Sequence, residues 1–221
     1  MTGPTAHAIQ SLFGDVPFES LEIGSADSEP WRSFANARAD VARGDETSAL
    51  RTMAAIAVAH GIEARHRVQA WHLVRHFGGR PPREIERDVL GVVVEVGIEG
   101  GQDLLAVYAD RTAHYYNYSG AAVIWMRPDS SLDKSVDAVI GAARSIVNLV
   151  DPWNQPRRPP PANGNARLNI LTPIGIHFGE GPINALGRDR SAGPLMAASI
   201  AMLAKMTSLP RAKSNRVDAQ N

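Results

Sequence analysis

Apolar positions at helical spacing dominate residues 31–79, where they fall into successive stripes. The stripes are separated by Gly44 and Gly61 and end at Gly78, which is typical because glycine favours the left-handed backbone at a helix C-terminus. Asp45 stands where the N-cap of the second stripe is expected. Since apolar residues three and four apart share one face of a helix, this pattern predicts a helical hairpin over residues 31–79.

The pattern from residue 89 onward changes to short β-prone runs. Turn-forming residues separate these runs, which lie near 90–98, 103–109, 112–118 and 121–126. Adjacent runs joined by short turns predict a four-stranded antiparallel meander. Both alternating sets of positions are largely apolar, as they are from Val92 to Val96. The sheet should therefore be covered on both faces.

The rest of the chain predicts a helix, two more strands and a last helix. Ser131 is the expected N-cap of an amphipathic helix that runs to about residue 150. A proline-rich linker over 151–165 leads to two further strands within 167–178, and Pro194 opens a final apolar helix. The predicted fold class is α+β, with a domain over 89–209 whose helices pack on the meander and on its two-strand extension.

This order of elements is broadly similar to the profilin-like or roadblock-like layout, in which helices pack on an antiparallel sheet. The similarity lies in the sequence of helices, meander, helix, two strands and helix. It implies an architecture alone, because one fold hosts many unrelated functions.

Both ends of the chain lack periodicity. Residues 1–30 are rich in acidic residues, glycine and proline, with scattered apolar residues, and predict an acidic extended arm. Residues 60–83 are basic, so the arm could lie on them through its charges. Residues 210–221 are polar and predict a disordered tail.

Composition narrows the classes of function and partner. The formal net charge is zero and no apolar run approaches the roughly 20 residues of a membrane span, so neither nucleic acid nor membrane is the expected partner. The chain has no cysteine, which fits a cytoplasmic protein. The absence of Lys and Arg from residues 1–30 argues against a secretory signal. Nothing in the sequence calls for a cofactor.

The first candidate site is the polar and aromatic hairpin over 109–120. Strand alternation would place His114, Tyr116 and Tyr118 on one face, with Asn117 opening a turn. One interpretation is structural, with aromatic cross-strand pairs and an Asn-initiated turn. The other is a binding surface, because tyrosine and asparagine offer directed hydrogen bonds and rigid area. The predicted binding residues are His114, Tyr116, Asn117, Tyr118 and His177.

The second candidate site is the glycine-rich segment 172–187. His177 and Glu180 could act there as an acid/base pair at a strand-to-loop junction. Ser119 is a weak candidate nucleophile for His177, although no GxSxG motif surrounds it. The alternative for the glycines is a turn that needs positive φ angles. No metal site is predicted, because His72 and His76 share a helical face without an HExxH motif.

Two functions remain open from the sequence. The first is a non-enzymatic protein-interaction or regulatory protein that binds a protein partner or a second copy of itself through the meander and the hairpin. The second is a hydrolase-type enzyme that uses His177 and Glu180 near the 114–119 hairpin. The two hypotheses differ in geometry, because the enzyme requires segments 114–119 and 177–180 to line one cleft.

Overall fold

The computed structural model describes residues 4–24 and 27–209, and within them the chain is α+β. The helices of this part are α1 Ala6–Phe13, α2 Trp31–Ala42, α3 Glu46–Val58, α4 Ala64–His76, α5 Asp133–Ile146, α6 Ile183–Arg188 and α7 Ala192–Ser208. The strands are β1 Gly91–Ile98, β2 Gly101–Tyr108, β3 Ala113–Tyr116, β4 Ala122–Trp125, β5 Asn165–Thr172 and β6 Gly175–Pro182. Short 3₁₀ turns lie at Phe18–Ser20 and Val147–Leu149.

The six strands form one antiparallel sheet with the order β4-β3-β2-β1-β5-β6. The predicted meander is confirmed, since β1 to β4 are consecutive neighbours. The two-strand extension is also a hairpin, and β5 adds to the free side of β1. β1 is therefore a central strand, with Glu95 opposite Leu104 on one side and opposite Arg167 on the other.

Both faces of the sheet are covered, as the alternating apolar positions predict. On the face that we call the N-terminal face, Val93 and Tyr108 pack with the buried residues of α1 to α4. On the opposite, C-terminal face, Val94 and Leu105 pack with α5 and α7. Burial on two sides explains why β1 is a nearly continuous run of valine.

Local signals placed several helix ends correctly. The Asp45 side chain accepts a hydrogen bond from the Ser48 amide at the start of α3, and Gly44 takes a left-handed φ of 78° before it. The predicted cap at Ser131 is wrong, because α5 begins at Asp133 without a side-chain cap. Asp129 instead accepts from the Ser131 amide at 2.8 Å, which makes a turn ahead of the helix.

The prediction of an extended N-terminal arm is wrong for residues 6–13, which form α1. The Thr5 side chain caps this helix, and Gly14 ends it with a φ of 60°. The arm docks on α4, within the basic segment, and the side-chain hydrogen bonds that Gln69 of that helix makes to the arm are neutral. The Gln69 amide donates to the Val16 carbonyl at 2.9 Å and accepts from the Val16 N–H at 3.1 Å.

The predicted disordered tail, 210–221, lies outside the described residues. Across residues 4–24 and 27–209, none of the helices combines the length with the hydropathy that crossing a bilayer requires.

Candidate functional site

The sheet order separates the two segments that the enzyme hypothesis brings together. The 114–119 segment belongs to β3 and its following turn, whereas 177–180 belongs to β6 at the opposite edge. β2, β1 and β5 lie between them, which at about 4.8 Å per strand is about 19 Å. The prediction that these segments face one another is wrong. Ser119 lies too far from His177 for the histidine to activate its hydroxyl.

His177 and Glu180 point to opposite faces of β6. His177 lies opposite Ile170 on the C-terminal face and is fully buried, whereas Glu180 lies opposite Arg167 on the N-terminal face. The predicted strand-to-loop junction is also wrong, since the glycine-rich segment pairs with β5 as far as Pro182. The two side chains therefore form no acid/base pair.

His177 has a structural role at the start of the proline-rich linker. Its Nδ1 lies 2.7 Å from the Val150 carbonyl oxygen, and its Nε2 lies 3.2 Å from the Thr172 hydroxyl. Burial lowers the pKa of His177 below its ordinary value of 6.5. Both ring nitrogens are thus occupied by the chain itself, and the imidazole joins the linker to the sheet.

A buried ionic network on the N-terminal face includes Glu180. Arg167 bonds Glu95 at 3.0 Å and Glu180 at 2.8 Å, and all three lie in one row across β1, β5 and β6. Asn169 donates to Glu95 at 3.1 Å. Burial raises the pKa of Glu95 although Arg167 opposes that rise. The alternation of the polar residues Asn165, Arg167 and Asn169 along β5 was the sequence signal for this row.

The proline-rich linker closes this network from above. Arg167 donates to the carbonyl oxygens of Arg158, at 3.3 Å, and Pro159, at 2.7 Å. The backbone of the linker approaches β1 so closely that a Cβ on Gly97 would lie 2.3 Å from the carbonyl oxygens of Pro161 and Ala162. The guanidinium of Arg167 is saturated by these partners, so the network joins the linker to the sheet and leaves no donor for a ligand.

His114 lies inside the N-terminal core, with 4% of its surface exposed. Its ring stands edge-on to Tyr108, with ring centres 5.9 Å apart, and neither nitrogen has a hydrogen-bond partner among the described residues. Burial, aided by the nearby charge of Arg65, lowers the pKa of His114 to about 4. His114 can therefore support a binding surface from below but does not reach a partner directly.

The Asn117 side-chain amide and the Asp103 carboxylate hold the β3–β4 hairpin in shape. The Asn117 side-chain oxygen accepts from the amides of Ser119 and Ala121 and from the Ser119 hydroxyl at 2.8 Å. Asp103 accepts from the Tyr115 hydroxyl at 2.7 Å and from the Tyr118 amide at 2.9 Å. The predicted Asn-initiated turn is confirmed, and the Ser119 hydroxyl is a donor within it.

An apolar strand edge begins where this hairpin ends. We call the outer side of β4, with the exposed residues Tyr118, Ile124 and Met126, the β4 edge. Ile124 is 52% exposed and Tyr118 is 45% exposed, and β4 carries no charged residue. Within the described residues, β4 pairs with β3 alone. Of the predicted binding residues, Tyr118 is exposed here and Tyr116 is half-buried on β3.

The opposite edge of the sheet is covered. The Trp153 amide donates to the Ile176 carbonyl on the outer side of β6 at 2.7 Å. The indole of Trp153 packs edge-on against Phe178, with ring centres 5.3 Å apart. Within residues 4–24 and 27–209, the sheet therefore has one edge that the chain itself protects and one edge, at β4, to which no further strand is added.

The chain matches no protein-family model, no curated protein and no solved structure. No group of three or more His, Asp or Glu side chains in the described part of the chain is placed to hold a metal ion.

Proposed function

We propose that the protein is a non-enzymatic interaction module that binds an extended segment of a protein partner along the β4 edge. The single observation that carries this proposal is the contrast between the covered edge at β6 and the open, uncharged edge at β4. An unpaired strand edge offers a row of amide and carbonyl groups to a further strand. Such edges are usually protected by charge, by proline or by being very short; β4 is four residues long and carries neither charge nor proline.

The order of the hairpin supports this function. Asn117 and Asp103 hold the turn and the adjoining strand through five hydrogen bonds. A surface already in its bound shape loses little conformational entropy when it binds. The β4 edge is therefore suited to add a strand without first ordering itself.

The chemistry of the edge defines the partner. Ile124, Tyr118 and Met126 supply exposed apolar area, so the partner segment should be extended, apolar and uncharged. The β4 sequence itself has these properties, and a second copy of the chain is one such partner. With Ile124 paired to its own copy, Ala122 would face Met126, which keeps both protomers in one continuous sheet.

A labelled peptide with the sequence of residues 120–127, flanked by lysines for solubility, is the direct probe. We expect saturable binding in fluorescence anisotropy and a loss of about tenfold or more with Ile124→Lys, because lysine on an edge opposes strand addition. Ile200→Lys is the matched control, since Ile200 is 56% exposed on α7, away from β4. Sedimentation velocity of the same variants reports whether the partner is a second copy.

A backbone-methylated version of the peptide separates strand pairing from general stickiness. Methylation at alternate amides removes the hydrogen bonds of a ladder and keeps every side chain. We expect it not to bind. Equal binding of the methylated and unmethylated peptides would refute strand addition. A wild-type protein that stays monomeric and binds neither peptide would also refute it.

A further inference from the structure

A cavity of about 330 Å³ lies between the N-terminal arm and helices α2 and α4. Its volume falls at the small end of the ~300–1,000 Å³ typical of ligand sites. Leu21 and Ile23 of the arm form an apolar wall, and Trp31, Arg65 and His66 bring aromatic and polar groups to the other side.

The walls of this cavity are fixed by the chain. The two hydrogen bonds between Gln69 and Val16 hold the arm on α4. At Gly14, whose φ is 60°, an added Cβ would lie 2.7 Å from the backbone nitrogen of Gln69. At Gly24, an added Cβ would lie 3.0 Å from the indole nitrogen of Trp31. Glycine thus allows the arm to pass close to both helices and leaves a preformed site between them.

Arg65 provides a cation whose terminal N–H groups can donate hydrogen bonds to a ligand. Its Nε donates to Glu63 at 2.8 Å, and its two terminal nitrogens make no hydrogen bond within the described residues. Its side chain is 25% exposed, so a ligand in the cavity has access to it. The planar fork of a guanidinium matches the two oxygens of a carboxylate.

Trp31 and His66 form an aromatic corner in the same cavity. Their ring centres are 4.7 Å apart with planes at 69°, which leaves ring faces in two directions for a flat ligand. Burial is the main reason that the pKa of His66 is lowered to about 4, so the ring is neutral near pH 7. Its buried Nδ1 has no hydrogen-bond partner among the described residues.

The charges around the cavity limit the charge of the ligand. Arg65 contributes one positive charge, which it shares with Glu63 in an ion pair, Glu22 adds one negative charge at the mouth, and His66 is neutral. With a single cation, the cavity can pair with one carboxylate and disfavours phosphate dianions and polyanions.

We infer that this cavity binds a small aromatic monocarboxylic acid, with the carboxylate on the free nitrogens of Arg65 and the ring in the corner of Trp31 and His66. The inference is independent of strand addition at β4, because the two sites share no residue. In this proposal the arm has a role in binding, since residues 14–24 complete the cavity.

Isothermal titration with 2-naphthoate and with its neutral analogue 2-naphthamide, near pH 7.5, tests this inference. We expect wild type to bind the acid with a dissociation constant below about 1 mM and the amide at least about tenfold more weakly, since the ionic hydrogen bonds are lost. Arg65→Gln should weaken the acid by about tenfold or more. Arg67→Gln is the matched control, because Arg67 lies on the same helix and bonds the Ala57 carbonyl instead.

An NMR titration locates the ligand without any variant. The indole N–H resonance of Trp31 should shift on addition of the acid, while those of Trp125 and Trp153, outside the cavity, should not. The inference is overturned if no 2-naphthoate binds at 5 mM, if acid and amide bind equally, if Arg67→Gln weakens binding as much as Arg65→Gln, or if the shifts lie elsewhere.

Discussion

Replacement of His114 by leucine tests the burial of an unpartnered imidazole in the N-terminal core. The pKa of His114 in the folded chain is about 4, against an ordinary value of 6.5. Above pH 6.5 the ring is neutral in both the folded and the unfolded chain, so it adds no pH dependence there. As the pH falls below 6.5, the unfolded chain takes up a proton that the folded chain refuses until about pH 4, and stability is lost.

The size of this effect follows from the pH interval. Between pH 6.5 and pH 5 there are about 1.5 pH units, each worth about 1.36 kcal/mol, so His114 removes about 2 kcal/mol from the free energy of unfolding at pH 5. For a chain of this size that corresponds to roughly 4–8 °C in the melting temperature. At pH 7.5 leucine should cost nothing, because it replaces two buried nitrogens that have no hydrogen-bond partner in the described part of the chain.

Urea unfolding at pH 7.5 and pH 5.0 is the appropriate assay. The pKa values of His66 and His72 are also lowered, so His114 is isolated by comparing the loss of the variant with that of wild type. We expect His114→Leu to lose about 2 kcal/mol less than wild type between these pH values. His60→Leu, a change at an exposed histidine, should lose as much as wild type. If wild type and His114→Leu lose the same free energy, the assignment of a neutral, buried His114 is refuted.

Three further substitutions test other parts of the fold. Val94→Asp should lower the free energy of unfolding by at least about 4 kcal/mol in a urea melt, since Val94 is 4% exposed in a covered sheet; the same change at the exposed Val58 should cost about 1 kcal/mol or less, and equal losses would contradict the burial. Gly97→Ala should cost about 1–3 kcal/mol in thermal unfolding because its Cβ meets linker carbonyl oxygens; Gly179→Ala, on a strand with open space at its Cβ, should be nearly neutral, and an equal loss would argue against linker contact. His177→Ala should lower the melting temperature by several degrees, with a loss of about 2 kcal/mol or more, since two hydrogen bonds and a buried ring disappear; an unchanged melt would return His177 to the candidate binding residues.

Much of the local structure was predictable from neighbouring residues. Asp45 caps α3 and Asn117 organises the hairpin turn because each side chain bonds amides only a few residues away. The β-branched runs predicted the meander because short turns leave adjacent strands little choice of partner. The docked arm was harder to predict, because α1 is short and is stabilised by burial of Leu12 and Phe13.

The candidate site depended on pairings that local pattern does not contain. Hydrophobic alternation indicates that a strand has two faces, but it does not say which strand lies beside it. β5 could have joined either edge of the meander. Because it lies beside β1, β6 forms the edge opposite β4, and three strands separate β6 from β3. That choice alone separated His177 from the hairpin.

The sequence by itself therefore determined the type and order of most elements from residue 31 onward, since these follow from backbone preference and periodicity within a few residues. The tertiary structure decided which polar residues meet. Glu95 and Arg167 are 72 residues apart and form a buried pair, whereas His177 and Glu180 are close in sequence and lie on opposite faces. The same long-range packing closed the β6 edge, left the β4 edge open and enclosed the cavity beneath the arm, because burial is a property of the assembled layers and not of any one segment.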